Sequence, residues 1–294
     1  MMRLFVGVAE AEGFARAARE LGVSAPAATR AVAALEQRLG APLFRRTTRR
    51  VRLTEQGERY LVDCRRILGE LAEAEASLAG AHGEPSGPLA VTAPAMFGRL
   101  HVAPILLDYA RRHRQVLPRL FLADRVVDLI DEGFDVAVRI AHLGDSGLTA
   151  ARVGQMRRVV CAAPDYLARH GVPKLPADLA RHQAIVFAPV GPGAEWPFRA
   201  GQRTQTIRPP ARLVANTAEV AVAAAVAGLG LTSLLRYQAA AELKSGKLAI
   251  VLADHELPPV PIHVVHREGP RANPRLRAFV DLAVERLRAD KALR

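Results

Sequence analysis

The stretch Gly13–Leu39 constrains the fold more than any other. Phe14, Ala17, Ala18 and Leu21 recur at helical spacing, Gly22 fits a helix stop, and Val23 reads as a buried turn residue. Ser24 is a good N-cap and Pro26 a favoured early helix position. A second helix comes next, with Ala27, Ala28, Val32, Leu35 and Leu39 as its buried stripe and Gly40 at its end. Two short helices joined by a glycine-containing turn make a helix-turn-helix, whose second helix enters the major groove of DNA. Ser24, Ala25, Pro26, Ala27, Thr29 and Arg30 stand at the start of that helix, where hydroxyl and guanidinium groups reach phosphates and base edges. The competing reading is an ordinary helical hairpin packed in a core.

The adjoining basic segment favours DNA. Leu43–Thr54 carries five arginines between positions 45 and 52, namely Arg45, Arg46, Arg49, Arg50 and Arg52. Phe44, Val51 and Leu53 anchor it as a short hairpin with Thr47 and Thr48 at the tip. Clustered guanidiniums repel one another unless an anion neutralises them, so the segment reads as a wing lying on the DNA backbone, against a solvated basic loop as the plainer alternative. Charge count alone argues less. The formal net charge of +12 comes from 41 basic and 29 acidic residues, but only four of the basic residues are Lys. Such an Arg skew arises in GC-rich genomes, so placement carries the weight: residues 1–60 hold 11 Arg against 6 Glu.

Phe14-Ala15-Arg16-Ala17-Ala18, Leu21-Gly22-Val23-Ser24, Pro26-Ala27, Ala34-Leu35-Glu36, Leu39-Gly40, Leu43-Phe44-Arg45-Arg46-Thr47 and Leu53-Thr54-Glu55-Gln56-Gly57 resemble the LysR-type transcriptional regulators. Two departures stand out. Ala25 occupies the position after the capping Ser where the family usually has Gln, and Ala can only touch a thymine methyl. The first helix is also a few residues shorter than the family norm.

From Leu61 the apolar residues Leu61, Cys64, Leu68, Leu71 and Leu78 follow heptad spacing, with Glu75 interrupting and Ile67 and Ala74 broadening the stripe. One reading packs this helix on its own domain. The resemblance implies the other, a linker helix pairing two subunits, with Cys64 buried in the seam, and hence a roughly palindromic site.

Gly83–Pro88 reads as a turn or linker, and beyond Leu89 short strands alternate with helices, the pattern of α/β units. Strands are expected at 89–93, 117–123, 134–140, 157–163, 184–187, 206–208, 213–216, 229–234, 248–252 and 262–266. Helices are expected at 99–112, 125–133, 164–170, 217–227, 237–244 and 274–289. Stretches such as Ala93–Arg99, Glu132–Ile140 and Val160–Leu167 resemble the effector domain of one large LysR subgroup. The expected fold is therefore an N-terminal winged helix-turn-helix, all-α with a small β wing, plus a long linker helix, then an α/β two-lobed effector domain like a periplasmic binding protein. The boundaries are 1–57, 58–86 and 87–294, with lobe 1 at 87–161 and 266–294, lobe 2 at 162–265, and crossovers near Cys161 and Val265.

Ligands of such lobes bind at strand carboxyl ends and helix N-termini, where free N–H groups favour anions. The candidates are Pro94, Ala95, Met96 and Phe97 after the first strand, Asp124 after the second, and Asn216 and Thr217 at a helix start with Thr217 as its cap. Arg139 at a strand end would pair with a carboxylate, and Trp196 and Phe198 would form an apolar wall. Each has a plainer reading: Asn216-Thr217 as a simple cap, Arg139 as partner of Asp124 or Asp145, Trp196 as core. The family often has hydroxyls where this chain has Ala93-Pro94-Ala95.

Other signals fail. Cys64 and Cys161 form no CxxC or zinc pattern, and no metal or cofactor is expected. His263 and His266 lie three apart in a strand and face opposite sides. Gly228-Leu229-Gly230 comes after a helix and caps it rather than cradling a dinucleotide. No apolar run is long enough for a membrane span, so a cytoplasmic protein with no membrane partner is expected. No catalytic constellation supports an enzyme. The expected partners are double-stranded DNA, a small organic effector with anions among the candidates, further copies of the chain as a dimer or dimer of dimers, and RNA polymerase. The opposing readings are a small-molecule-binding protein or enzyme on the α/β lobes with a vestigial basic N-terminus, and a non-specific nucleoid binder.

Overall fold

A computed structural model describes residues 1–46, 51–78, 84–144, 147–188, 195–267 and 273–293, with the backbone alone for 46, 66, 70 and 72–78. The chain forms two compact units, Met1–Gly83 and Glu84–Arg294.

In the first unit, α1 (Met2–Ala11), α2 (Phe14–Glu20) and α3 (Ala25–Leu39) precede the short strands β1 (Phe44–Arg46) and β2 (Val51–Leu53) and the long α4 (Glu55–Leu78). The stops and caps read from the sequence are in place. Gly22 has φ +67°, the left-handed conformation that lets the chain turn between α2 and α3. Ser24 Oγ accepts from Ala27 N at 3.3 Å. Val23, expected to be buried, is 38% exposed, because the bend at Gly22 turns it outward.

Phe5, Val8, Ala17, Val32, Leu35, Leu43, Phe44 and Cys64 form the core. Phe5 stacks obliquely on both Phe44 and Tyr60 at 5.3 Å. One polar group fixes the exit from α3: Glu36 Oε1 accepts from Leu43 N at 2.8 Å and Phe44 N at 3.0 Å. Thr54 closes the other end of the hairpin, donating to Pro42 O at 2.7 Å and accepting from Gly57 N at 2.9 Å. α4 starts so close to this hairpin that a Cβ on Gly57 would lie 2.1 Å from the Leu43 carbonyl oxygen.

The apolar stripe of α4 is divided between two duties. Cys64 is fully buried in the first unit's own core, which leaves it no surface for an intersubunit seam, and Leu61 is partly buried against that core. Helix pitch explains the difference from the heptad expectation: α4 begins at Glu55, and its first turns lean on α1, where Arg65 pairs with Glu10 at 2.9 Å. Further along, Leu68 is half-buried, while Ile67 and Leu71 are 37% and 46% exposed. The side chain of Leu78 lies outside the described residues.

The second unit holds two five-stranded sheets. β3 (Gly87–Ala93), α5 (Ala95–Phe97), a π turn over Gly98–Val102, α6 (Ala103–Arg112), β4 (Val116–Leu122), β5 (Val136–Ile140) and β6 (Thr149–Met156) come first. β7 (Arg158–Ala162), α7 (Pro164–His170), β8 (Ala184–Phe187), β9 (Trp196–Ala200), β10 (Arg203–Ile207), β11 (Ala211–Ala215), α8 (Ala218–Val226), β12 (Leu231–Leu235), α9 (Ala240–Lys244) and β13 (Ala249–Val251) come next. β14 (Val260–His266) and α10 (Pro274–Ala289) close the unit. The sheet orders are β4-β3-β5-β14-β6 and β11-β8-β12-β7-β13. In each, three strands run parallel and the other two pair antiparallel.

The chain therefore crosses from the first sheet to the second at Arg157 and returns between Val251 and Val260. The crossovers expected near Cys161 and Val265 are corrected: Cys161 lies within β7 and Val265 within β14. Both sheets are recognisable in the sequence, but β6 and β9 are not among the expected strands. The helix expected at 125–133 is a series of turns instead. Asp128 Oδ1 accepts from Ile130 N at 2.7 Å and Asp131 N at 3.0 Å, capturing donors that a helix would need.

Replacing Glu36 with Ala leaves the Leu43 and Phe44 amides without their acceptor in a half-buried site. The expected loss is about 2–5 kcal/mol of stability in this unit, measured by urea unfolding.

Candidate nucleic-acid interface and ligand cleft

On α3, Ser24, Pro26 and Arg30 are exposed, while Ala25, Ala27 and Thr29 are half-exposed. Ser24 Oγ accepts a cap bond, which leaves its O–H free to donate. Thr29 Oγ1 donates to Ala25 O at 3.0 Å, so its proton is spent within the helix. The same exposed face continues through Ala33, Ala34 and Gln37, which sequence reasoning does not single out. Gln37 carries the side-chain amide that reads adenine, and its i+7 spacing from Arg30 is the available signal.

In the hairpin, Arg45 and Arg52 face each other directly in the strand register. Like charges placed opposite one another are destabilising in an isolated hairpin. Both are exposed, and neither has a hydrogen-bond or ion-pair partner among the described residues. The backbone of Arg46 completes the ladder, whereas Thr47, Thr48, Arg49 and Arg50 lie outside the described residues.

In the second unit, the carboxyl ends of β3, β4, β5 and β8 open on a cavity of about 240 Å³. Its lining includes Pro94, Asp124, Val127, Arg139 and Ile140 from the first lobe and Arg158, Phe187, Leu235, Tyr237 and Gln238 from the second. Asp124 accepts from Ala95 N at 3.0 Å, and burial pushes its carboxyl above the usual range despite that bond. Arg139 donates to Val127 O at 2.7 Å rather than pairing with Asp124. Arg125 is held by Glu132, at 2.7 Å through one of two contacts. Gln238 Oε1 accepts from Leu235 N at 2.9 Å, and burial raises the Tyr237 phenol.

Several expected cleft residues stand elsewhere. Trp196 and Phe198 are buried in the second lobe's core with Tyr166, Val186 and Leu231, because β9 and β10 fold as a hairpin onto that core. Asn216 is exposed, Thr217 makes no side-chain cap bond, and neither lines the cavity. Phe97 is fully buried, with Tyr237 packed edge-on at 5.4 Å, and Met96 lines a separate hollow beside α8. Conversely, Arg158, Phe187, Tyr237 and Gln238 are not anticipated from the sequence. There Arg158 reads, with Arg157, as part of a general Arg bias, and its position at the start of a strand is the signal that could find it. Both thiols are inert: burial raises Cys64 and pushes Cys161 up to about 12.

A winged helix-turn-helix with free arginines, joined to two α/β lobes around a cleft, defines a DNA-binding protein with its own ligand-binding domain. Comparisons with known proteins agree. The LysR substrate binding domain model matches residues 82–288, and the model for the bacterial regulatory helix-turn-helix protein, lysR family, matches residues 1–58. The transcriptional regulator CrgA of Neisseria meningitidis serogroup B is 34% identical over 288 residues, covering 97% of this chain and 96% of that protein. The solved structure of CrgA has a TM-score of 0.61 at 32% identity, covering 97% of both chains. Full-length AphB, a virulence activator of Vibrio cholerae, has a TM-score of 0.63 at 25% identity, covering 97% of both chains. The chain belongs to the LysR family of transcriptional regulators. It is a regulator and not an enzyme, with a helix-turn-helix for DNA and a substrate-binding domain for an effector.

The raised carboxyl of Asp124 gives a testable sign. A group whose pKa is higher in the folded state binds more protons there, so its contribution to stability falls as pH rises through the folded pKa. Asp124→Asn keeps an acceptor for Ala95 N and removes the desolvated charge. Its melting temperature at pH 7 is expected to equal or exceed that of the parent, with the gap closing as pH falls through the carboxylate range. Differential scanning calorimetry across pH checks this.

Proposed function

We propose that the first unit reads DNA through α3, with Ser24, Ala25, Pro26, Ala27, Thr29 and Arg30 at or near base edges. Arg45, Arg46, Thr47, Thr48, Arg49 and Arg50 then lie along the phosphates. The observation that carries this reading is the wing itself, with Arg45 and Arg52 opposed and unneutralised at the end of a Glu36-fixed turn. DNA phosphates supply the missing counter-charge. The target is a roughly palindromic promoter site, bound by a homodimer or a dimer of dimers in the cytoplasm, with RNA polymerase as the further partner. No helix among the described residues is long and apolar enough to cross a membrane. A small organic effector enters the cleft of the second unit, changes the relation of the lobes and thereby the affinity for the site. Any such effect is limited by the ligand's differential affinity for the two states.

Pairing of subunits rests on α4. The stripe used by Leu61 and Cys64 for the domain's own core continues beyond them as the exposed Ile67 and Leu71, and these, with Leu68 and Leu78, form the intersubunit seam. A second copy of α4 would cover them.

Footprinting on the protein's own upstream DNA tests the function. A discrete protected site at physiological salt is expected. Protection everywhere would point to a non-specific nucleoid binder, and none at all would remove the DNA reading.

Replacing Arg45 and Arg52 together with Ala is expected to weaken binding for all sequences. The slope of log affinity against log salt should drop by about 2 if each contacts one phosphate. An unchanged slope in fluorescence anisotropy would sink the wing assignment. Ile67→Asp combined with Leu71→Asp is expected to shift sedimentation equilibrium towards monomer while the helix-turn-helix stays folded by circular dichroism.

A further inference from the structure

We infer that the ligand of the inter-lobe cleft is a small apolar monocarboxylic acid whose carboxylate is held by Arg158, an inference that rests on the reading of this cleft as the effector site. Arg158 opens β7, opposite Leu235 of β12, and lines the cavity from the second lobe. It has no hydrogen-bond or ion-pair partner among the described residues. Each of the other charged residues around the cavity has at least one hydrogen-bond partner within the protein, though that of Arg139 carries no counter-charge. Arg125 is closed by Glu132, Arg139 by the Val127 carbonyl, and Asp124 by the Ala95 amide.

Arg158 is solvent-accessible, yet protein packed around its guanidinium pushes its pKa down. A guanidinium does not escape that cost by losing its proton, and a carboxylate docked against it would supply the counter-charge that the protein does not. The planar fork of Arg fits the two oxygens of a carboxylate.

The rest of the cavity specifies the body of the ligand. Ala93, Pro94, Val127, Ile140, Phe187 and Leu235 present apolar surface. A cavity of 150 Å³ accepts benzene, so about 240 Å³ accommodates roughly ten heavy atoms. A second carboxylate would share the cavity with the Asp124 carboxyl, a like charge when ionised. A phosphate would need several donors, but the amide at the start of α5, Ala95 N, is already spent on Asp124.

The test uses the full chain and isothermal titration calorimetry. The probes are octanoate, phenylacetate, 3-phenylpropionate and benzoate, each beside its primary amide, and adipate as a dicarboxylate. At least one monocarboxylate is expected to bind, with its amide and adipate about tenfold or more weaker. Arg158→Gln should lose that binding by a similar factor. Its ligand-free melting temperature should be unchanged or higher, since a cation without a protein partner is removed; an arginine with a purely structural role would lower it. Equal binding by acid and amide, undiminished binding by Arg158→Gln, or no binding by any of the acids would overturn the inference. The wider cleft reading is separated by Ala123→Trp, which fills the cavity, and a panel of neutral and cationic metabolites. If members of that panel bind the parent and not Ala123→Trp, the carboxylate inference falls and the cleft reading stands. If they bind both equally, the cleft reading falls as well.

Discussion

The two hydrogen bonds that Glu36 accepts from Leu43 and Phe44 tie the end of the recognition helix to the start of the wing. A charged acceptor in a half-buried site holds its donors more firmly than a neutral one, and two successive amides fix both the position and the direction of the chain. Everything in the first unit that faces outward depends on this. The hairpin leaves α3 at a set angle, Phe44 is delivered to the core against Phe5 and Phe14, and Thr54 completes the return to α4. The absence of a side chain at Gly57 then lets α4 approach the Leu43 carbonyl. Arg45 and Arg52 need no interactions of their own to be positioned, which is why they remain free for an anion.

The second unit obtains its cleft from topology. Three parallel strands in the first sheet and the parallel β8 in the second end at the same place, and only such ends leave backbone groups and loop side chains unpaired enough to bind a ligand. Stability and function are separated within it. Trp196, Phe198 and Tyr166 are enclosed in the second lobe's core, while Arg158 is left at the cavity without a counter-charge. Proteins commonly carry such locally unfavourable groups at binding sites and offset them elsewhere.

How much of this is legible in the sequence depends on the range over which each feature is decided. The helix-turn-helix is readable because Gly22, Ser24, Pro26 and Gly40 act on their own neighbours, and each does so in the structure. The hairpin is readable for the same reason. The division of α4 is not, because a 3-4 apolar spacing states that a face is buried and not against what. Cys64 and Leu71 share the stripe and have different surroundings. The lobe boundaries slip by a few residues because β7 and β14 are apolar through most of their length and look alike whichever sheet they join. Asp128 overrides helical spacing through two local bonds. Arg158 is hidden by composition: among so many arginines, only the partners each one lacks distinguish it.

Aromatic packing supplies a route by which an occupied cleft affects the rest of this unit. Tyr237 lines the cavity from the second lobe and packs edge-on against Phe97 of α5 at 5.4 Å. Phe97 in turn stacks on His101 at 4.6 Å, and His101 bonds Asp290 beyond the end of α10 at 3.0 Å. His101 sits in the π turn, a break in regular helix of the kind that often accompanies function. The Tyr237–Phe97 contact crosses between lobes, so relative movement of the lobes must alter it. Closely packed rings do not slide by small amounts at no cost, which favours a few discrete arrangements over a continuum. An anion at Arg158 would stabilise whichever arrangement brings the two walls together, and the free energy it contributes is bounded by the difference in its affinity for the two arrangements.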